Sequence, residues 1–249
     1  FKINRLAHTV SIEHECNFEF DAKYPKIDRI FNQITKMVPL LLSSPAFFMK
    51  ATLKVARETG LLKRVLEAQD TKGCTALMGA AQNGHMECVQ AMLEVAKPDK
   101  ALLESMLMPT SNAGATALMW AAVSGENECV QAMLEVAKPD KALLESMLMA
   151  TSNEGLTALM CAASFGKNEC VQAMLEVAKP DKDLLESMLM VTSNDGFTAL
   201  MGAAQNGHME CLQAMLEVAK PDKALLESML MVTSNDGATA LMWAAQNGH

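Results

Sequence analysis

Aromatic side chains are scarce in this chain of 249 residues, at 4%, with one Tyr and two Trp. That excludes a large aromatic-lined pocket or a platform on which nucleic-acid bases stack. No stretch reaches the roughly 18 apolar residues of a membrane-spanning helix. The nearest, Val38 to Met49, is interrupted by Pro39, Ser43, Ser44 and Pro45. No secretory signal segment starts at Phe1. The sequence has no Gly-rich phosphate loop, no paired-carboxylate site and no Ser/His/Asp set, so no enzymatic chemistry is expected. Cations are few after residue 72. Residues 73–249 carry 9 Lys against 21 acidic side chains, a net of −12, while residues 1–72 carry 12 basic and 8 acidic, a net of +4, giving −8 in all. The acidic body repels phosphate backbones, and the basic part is too mixed to attract them, so no nucleic-acid partner is expected.

What is present is apolar and repetitive. Half of the residues are hydrophobic, too many for a disordered chain, and 21 are Met. Gly73, Gly114, Gly155, Gly196 and Gly237 each open a copy of one 41-residue unit, and the copies at Gly73 and Gly196 agree at 37 of 41 positions. Of the seven cysteines, Cys88, Cys129, Cys170 and Cys211 are one position copied four times, not a CxxC cluster. Together with Cys16, Cys74 and Cys161 they read as reduced thiols of a cytoplasmic protein, with the nucleus as the alternative compartment.

Each copy predicts three short helices. Thr75 caps helix A, Ala76 to Ala81, whose Ala80 and Ala81 let a neighbour approach closely. Asn83-Gly84 stops it, with Gly84 at positive φ. Helix B runs from Met86 to Ala96, with Cys88, Val89, Met92, Leu93 and Ala96 on one face. Lys97-Pro98-Asp99 starts helix C, where Pro suits the first turn and Leu102, Leu103, Met106 and Leu107 form a stripe. Such units bury their apolar faces only by stacking, and most of the Met positions fill that core.

The run Thr75-Ala76-Leu77-Met78-x-Ala80-Ala81-x-x-Gly84-His85-x-Glu87 resembles the ankyrin repeat, and Thr-Ala-Leu-Met recurs at Thr116, Thr157, Thr198 and Thr239. The resemblance implies a mostly α protein: an ankyrin-like solenoid that binds other proteins through its concave face. Full repeats are expected at 73–113, 114–154, 155–195 and 196–236, with a truncated one at 237–249 and a degenerate capping repeat at 49–72. In that cap, Leu53, Ala56 and Gly60 stand where Leu77, Ala80 and Gly84 do. Two features depart from the family. The unit exceeds the usual length of about 33 residues, the surplus being helix C, which implies a shortened or rebuilt β-hairpin finger. Met also replaces the family's usual His, restoring bulk but not the hydrogen bonding that braces the turn.

Residues 1–48 form an N-terminal extension, or the end of an upstream domain. Val10 to Phe20 alternates as a strand, and Pro25 to Val38 has helical spacing. His8, Glu13, His14, Glu15 and Cys16 are ligand types, but a strand puts His14 and Cys16 on one face and the carboxylates on the other. No metal or other cofactor is therefore expected. His85, His208 and His249 recur with the repeat and have no nucleophile beside them.

The copies differ mainly after the opening Gly, on helix A, at its end and just before the next Gly. The candidate partner-binding residues are therefore Trp120, Val123, Ser124, Leu156, Ser164, Phe165, Phe197, Gln205, Asn206 and Trp243. The reading is a non-enzymatic interaction scaffold, monomeric wherever its C-terminal end is capped. The alternatives are the targeting arm of a larger enzyme whose catalytic domain lies outside these residues, and a spacer. The chain reads as a piece cut at both ends, with an apolar C-terminal end prone to fraying or self-association.

Overall fold

The computed structural model describes residues 2–4, 9–12, 16–19 and 45–249. The chain divides into two units, Phe1–Phe48 and Met49–His249. In the first, β1 (Lys2–Asn4), β2 (Thr9–Ile12) and β3 (Cys16–Glu19) form an antiparallel sheet in that order. Val10 lies opposite Ile3 on one side and Phe18 on the other. The segment expected as one strand thus contributes to two strands. Alternation marks faces and does not mark a turn. The helix expected over Pro25 to Val38, with His8 and Glu13–Glu15, lies outside the described residues.

The helix α1 (Pro45–Glu58) runs across the boundary into the second unit, where α2 (Leu62–Leu66) follows. Leu53 and Ala56 are buried and Gly60 has φ +72°. The first copy then holds α3 (Ala76–Gln82), α4 (Met86–Ala96) and α5 (Lys100–Leu107). The second holds α6 (Ala117–Ser124), α7 (Asn127–Ala137) and α8 (Lys141–Met149). The third holds α9 (Ala158–Ser164), α10 (Asn168–Ala178) and α11 (Lys182–Met190). The fourth holds α12 (Ala199–Gln205), α13 (Met209–Ala219) and α14 (Lys223–Met231), and α15 (Ala240–Asn247) closes the chain.

Local chemistry sets these boundaries. Thr75 Oγ1 accepts from Met78 N at 3.3 Å, satisfying one of the free amides at the helix start. Thr116, Thr157, Thr198 and Thr239 do the same for their helices. Helix C is capped by Asp99, whose carboxylate accepts from Leu102 N at 3.1 Å. Pro98 lies before that cap, outside the first turn where it was expected. Its missing N–H instead keeps α4 from running on into α5.

The apolar stripes meet as the periodicity predicts. Cys88, Val89, Met92, Leu93 and Ala96 of α4 are buried, as are Leu102, Leu103, Met106 and Leu107 of α5. Helix A packs on helix A of the next copy throughout, from α3 on α6 to α12 on α15, and helix B packs likewise on helix B. Fully burying a Met such as Met133 is worth about 1.5–3 kcal/mol. In the last copy the pattern is open: Leu241 and Met242 are 78% and 57% exposed, where Leu77 and Met78 are buried.

The turn between copies is short and heavily bonded. Gly114 N donates to Ser111 O at 2.8 Å and Ser111 N to Ala115 O at 3.0 Å, so the expected finger is reduced to one tight turn. Successive turns are stitched by asparagine. Asn153 Nδ2 donates to Asn112 O, Asn194 Nδ2 to Asn153 O and Asn235 Nδ2 to Asn194 O, each at 2.9 Å. The same Asn residues donate their backbone N–H across the joint, as Asn194 N does to Glu154 O at 3.0 Å. The Met in place of His also keeps a weak bond in the first copy, where Met78 Sδ accepts from Thr75 N at 3.5 Å. That bond closes the helix's own cap and does not brace the turn between copies.

Candidate protein-interaction face

The variable positions fall into rows because each copy superposes its helix A on the next. Cys74, Ala115, Leu156, Phe197 and Ala238 follow the turn and are half-buried. On helix A stand Gly79, Trp120, Cys161, Gly202 and Trp243. The two rows touch across the joint: the Phe197 and Trp243 rings lie 4.9 Å apart, tilted by 44°. The indole N–H groups of Trp120 and Trp243 are shielded from water and have no acceptor among the described residues. Gly202 sits where an added Cβ would run into Ser164 Oγ of the preceding copy. Leu156, Trp120, Phe197 and Trp243 therefore face the stack as well as its surface.

At the end of helix A stand Asn83, Ser124, Phe165, Asn206 and Asn247. All three asparagines bond back to their own helix end: Asn83 Nδ2 to Gly79 O at 2.8 Å, Asn206 to Gly202 O and Asn247 to Trp243 O at 2.9 Å. Phe165 gives up that bond and places its ring 59% in solvent. It is the one large exposed hydrophobic of the second and third copies. Val123, Ser124, Ser164 and Gln205 beside this row are half-buried, and Asn206 is exposed.

In the next row, His85, Glu126, Lys167, His208 and His249, every member but His85 covers a helix-ending glycine of the preceding copy. Glu126, Lys167, His208 and His249 lie where side chains on Gly84, Gly125, Gly166 and Gly207 would collide with them. His208 Nε2 is 3.1 Å from Ser164 O, so one repeating histidine links two copies.

The remaining polar groups are accounted for by structure. Lys100, Lys141 and Lys182 pair with Asp140, Asp181 and Asp222 of the following copy at 2.5, 2.6 and 2.7 Å. The lysine hydrogen bonds hold these carboxyls below the usual aspartate range. Burial pushes the thiols of Cys129, Cys161 and Cys170 up to about 11, with neighbouring carboxylates such as Glu154 beside Cys161 adding to it. Such thiols stay protonated near neutrality and are poor nucleophiles. A shallow groove of about 490 Å³ lies between α7 and α10, lined by Gln131, Leu134, Glu135, Lys138, Gln172 and Glu176. The sequence reading missed this groove. Among the described residues, no helix is long and apolar enough to cross a membrane.

Stacked three-helix units, Thr-capped and joined by tight turns, define a helical repeat solenoid. The family model for ankyrin repeats (3 copies) matches at residues 48–142, 103–186, 137–224 and 177–249. The chain belongs to the ankyrin-repeat family. The crystal structure of EF0377, an ankyrin repeat protein, is similar over 80% of this chain and 91% of its own, with a TM-score of 0.55 and 22% identity. A search of curated proteins gives no match. Ankyrin repeats generally mediate protein–protein interaction, and the fold is typically a non-catalytic interaction module.

Proposed function

We propose that this chain is a non-enzymatic scaffold that binds partner proteins through the surface formed by its turns, its helix A row and the ends of those helices. Its parts are the extension 1–48, the cap 49–72, four full repeats and the truncated repeat 237–249. Trp120, Val123, Ser124, Leu156, Ser164, Phe165, Phe197, Gln205, Asn206 and Trp243 make the surface, with Phe165 as its anchor. The observation that carries this reading is at Phe165. There the third copy places a ring 59% in solvent where the first and fourth copies carry an asparagine that bonds back to helix A, so that side-chain hydrogen bond is given up. Exposed aromatics are common energetic anchors of interfaces. A stack held in register by its asparagine bonds loses little freedom on binding.

The unpaired cysteines support a cytoplasmic location, with the nucleus as alternative. A second reading makes the array the recruiting arm of a larger enzyme. What favours it is the separate strand-bearing unit at residues 1–48.

The test is affinity capture from the source cell's lysate with the native chain and with Phe165→Asn. The variant carries the residue of the first and fourth copies, so its fold is expected to hold. A partner kept by the native chain and lost by Phe165→Asn supports the reading. Equal capture by both moves recognition elsewhere, and capture by neither favours a spacer.

A further inference from the structure

We propose that Asn83, Asn206 and Asn247 are sites of self-deamidation, and that the fold sets how fast each one turns into aspartate or isoaspartate. Neither the reaction nor its rate depends on what the solenoid binds.

Three asparagines of the chain precede a glycine, and each stands at the end of a helix A: Asn83-Gly84, Asn206-Gly207 and Asn247-Gly248. Other asparagines of the repeats precede a residue with a Cβ, as at Asn112-Ala113, Asn153-Glu154 and Asn168-Glu169. Glycine has no Cβ to crowd its own nitrogen or to restrict the chain around it. That nitrogen attacks Cγ of the asparagine side chain. A bond from the nitrogen to Cγ forms, the bond from Cγ to Nδ2 breaks, and Nδ2 takes up the proton that the nitrogen gives up and leaves as ammonia. Water then opens the cyclic imide at either carbonyl, giving aspartate or isoaspartate. Water is the only co-reactant.

The native helix end holds this step back. Asn83 sits at φ −99°, ψ 8° and Asn206 at φ −99°, ψ 4°. Near ψ 0° the glycine nitrogen is turned away from the asparagine side chain, so the backbone must leave this conformation before the ring can close. The side chain is pinned as well, since Asn83 Nδ2 donates to Gly79 O at 2.8 Å and Asn206 Nδ2 to Gly202 O at 2.9 Å. Turnover therefore requires the helix end to open.

The three ends open at different cost. Helices α3 and α12 have Leu77 and Leu200 buried and pack on α6 and α15. Glu126 lies over Gly84, and His249 over Gly207. At α15, Leu241 and Met242 are exposed, and a Cβ on Gly248 would meet nothing within 4 Å. A reaction that passes through a rare open state follows the population of that state.

Conversion also changes the surface. The carboxylate that replaces the amide has no proton for Gly202 O. It adds negative charge at the C-terminal end of α12, where the helix dipole is already negative. At Asn206 that charge enters the row that holds Phe165. Water and ammonia at cellular levels do not restore the amide, so each converted copy keeps a lasting record that its helix end has opened.

The experiment holds the 249-residue chain in mildly alkaline buffer, native or in urea, and samples it over days. Digested peptides are read by mass spectrometry, where conversion of amide to acid shows as a mass gain. In the native chain Asn247 is expected to convert at least about tenfold faster than Asn83 or Asn206. In urea the three are expected to converge on one rate, with Asn112, Asn153 and Asn168 slower. Asn206→Ser, which carries the residue of the second copy, is expected to lose conversion at that position and to leave the rate at Asn247 unchanged. Asn206→Asp, which supplies the product directly, is expected to lower the urea midpoint. The proposal is overturned by equal native rates at the three sites, by native rates at Asn83 and Asn206 that match those in urea, or by no conversion at Asn247. Faster conversion at Asn112, Asn153 or Asn168 would overturn it too, and an unchanged midpoint for Asn206→Asp would remove the effect on the helix end.

Discussion

The single-residue choices that hold this chain together are small polar groups placed where a backbone would otherwise go unpaired. Thr157 accepts from Met160 N at 3.3 Å at the start of α9. Thr157→Ala is expected to lower unfolding stability by about 1 kcal/mol in a urea titration. The thiols behave in the opposite way, because the interior disfavours their charged form. Cys161, pushed to about 11 by burial, is expected to resist alkylation at pH 7.5 in the native chain and to react at once in urea. The sign of the linkage follows. The folded thiol holds its proton more tightly than the unfolded one, so this stabilisation is complete below the ordinary thiol range. It is lost as pH rises through about 9 to 11, and a denaturation series over that range should show it. Much at this scale was readable from the sequence, including the Thr caps, Gly84 at φ +66° and the buried repeat cysteines. The asparagine ladder was not, since each of its bonds joins residues one whole copy apart.

Between elements, the variable rows turn out to be partners of one another. Phe197 stacks on Trp243, and Gly202 leaves room for Ser164. Where helix A carries Trp120 or Trp243, the preceding helix ends in Gln82 or Gln205; where it carries Gly202, the preceding helix ends in Ser164. Gly202→Trp is therefore expected to destabilise by about 2 kcal/mol. Adding Ser164→Gln should recover part of that, and a double-mutant cycle in urea measures the coupling. Helix positions were legible because their stripes have a period of 3.6 residues, and helix C was visible as Leu102, Leu103, Met106 and Leu107. The pairing of variable residues was not legible, because it depends on how one helix A is set against the next. Variation that fits either binding or packing between repeats, as at Trp120 and Trp243, is thus partly packing, and Phe165 is where it is least so.

The solenoid as a whole should behave as a sum of units and joints. Removing residues 155–195 joins the second copy to the fourth across a joint whose constant positions are unchanged. The shortened chain is expected to fold with a lower midpoint and a smaller urea m-value, since less surface is exposed on unfolding. Loss of all helical signal would contradict this. The apolar end belongs to this scale too. With Leu241 and Met242 exposed, amides of residues 225–249 are expected to exchange faster than those of residues 115–180. Equal protection would overturn that expectation.

The account's central claim is that recognition lies on the turn and helix A side of the stack. Its most direct test is amide-exchange footprinting of the chain with and without a captured partner. The account predicts added protection at residues 152–156 and 193–197 and at the end of α9 around Phe165, with α5, α8, α11 and α14 unchanged. Protection centred on the groove between α7 and α10, or on the helix C row, with Phe165 unaffected, would contradict it.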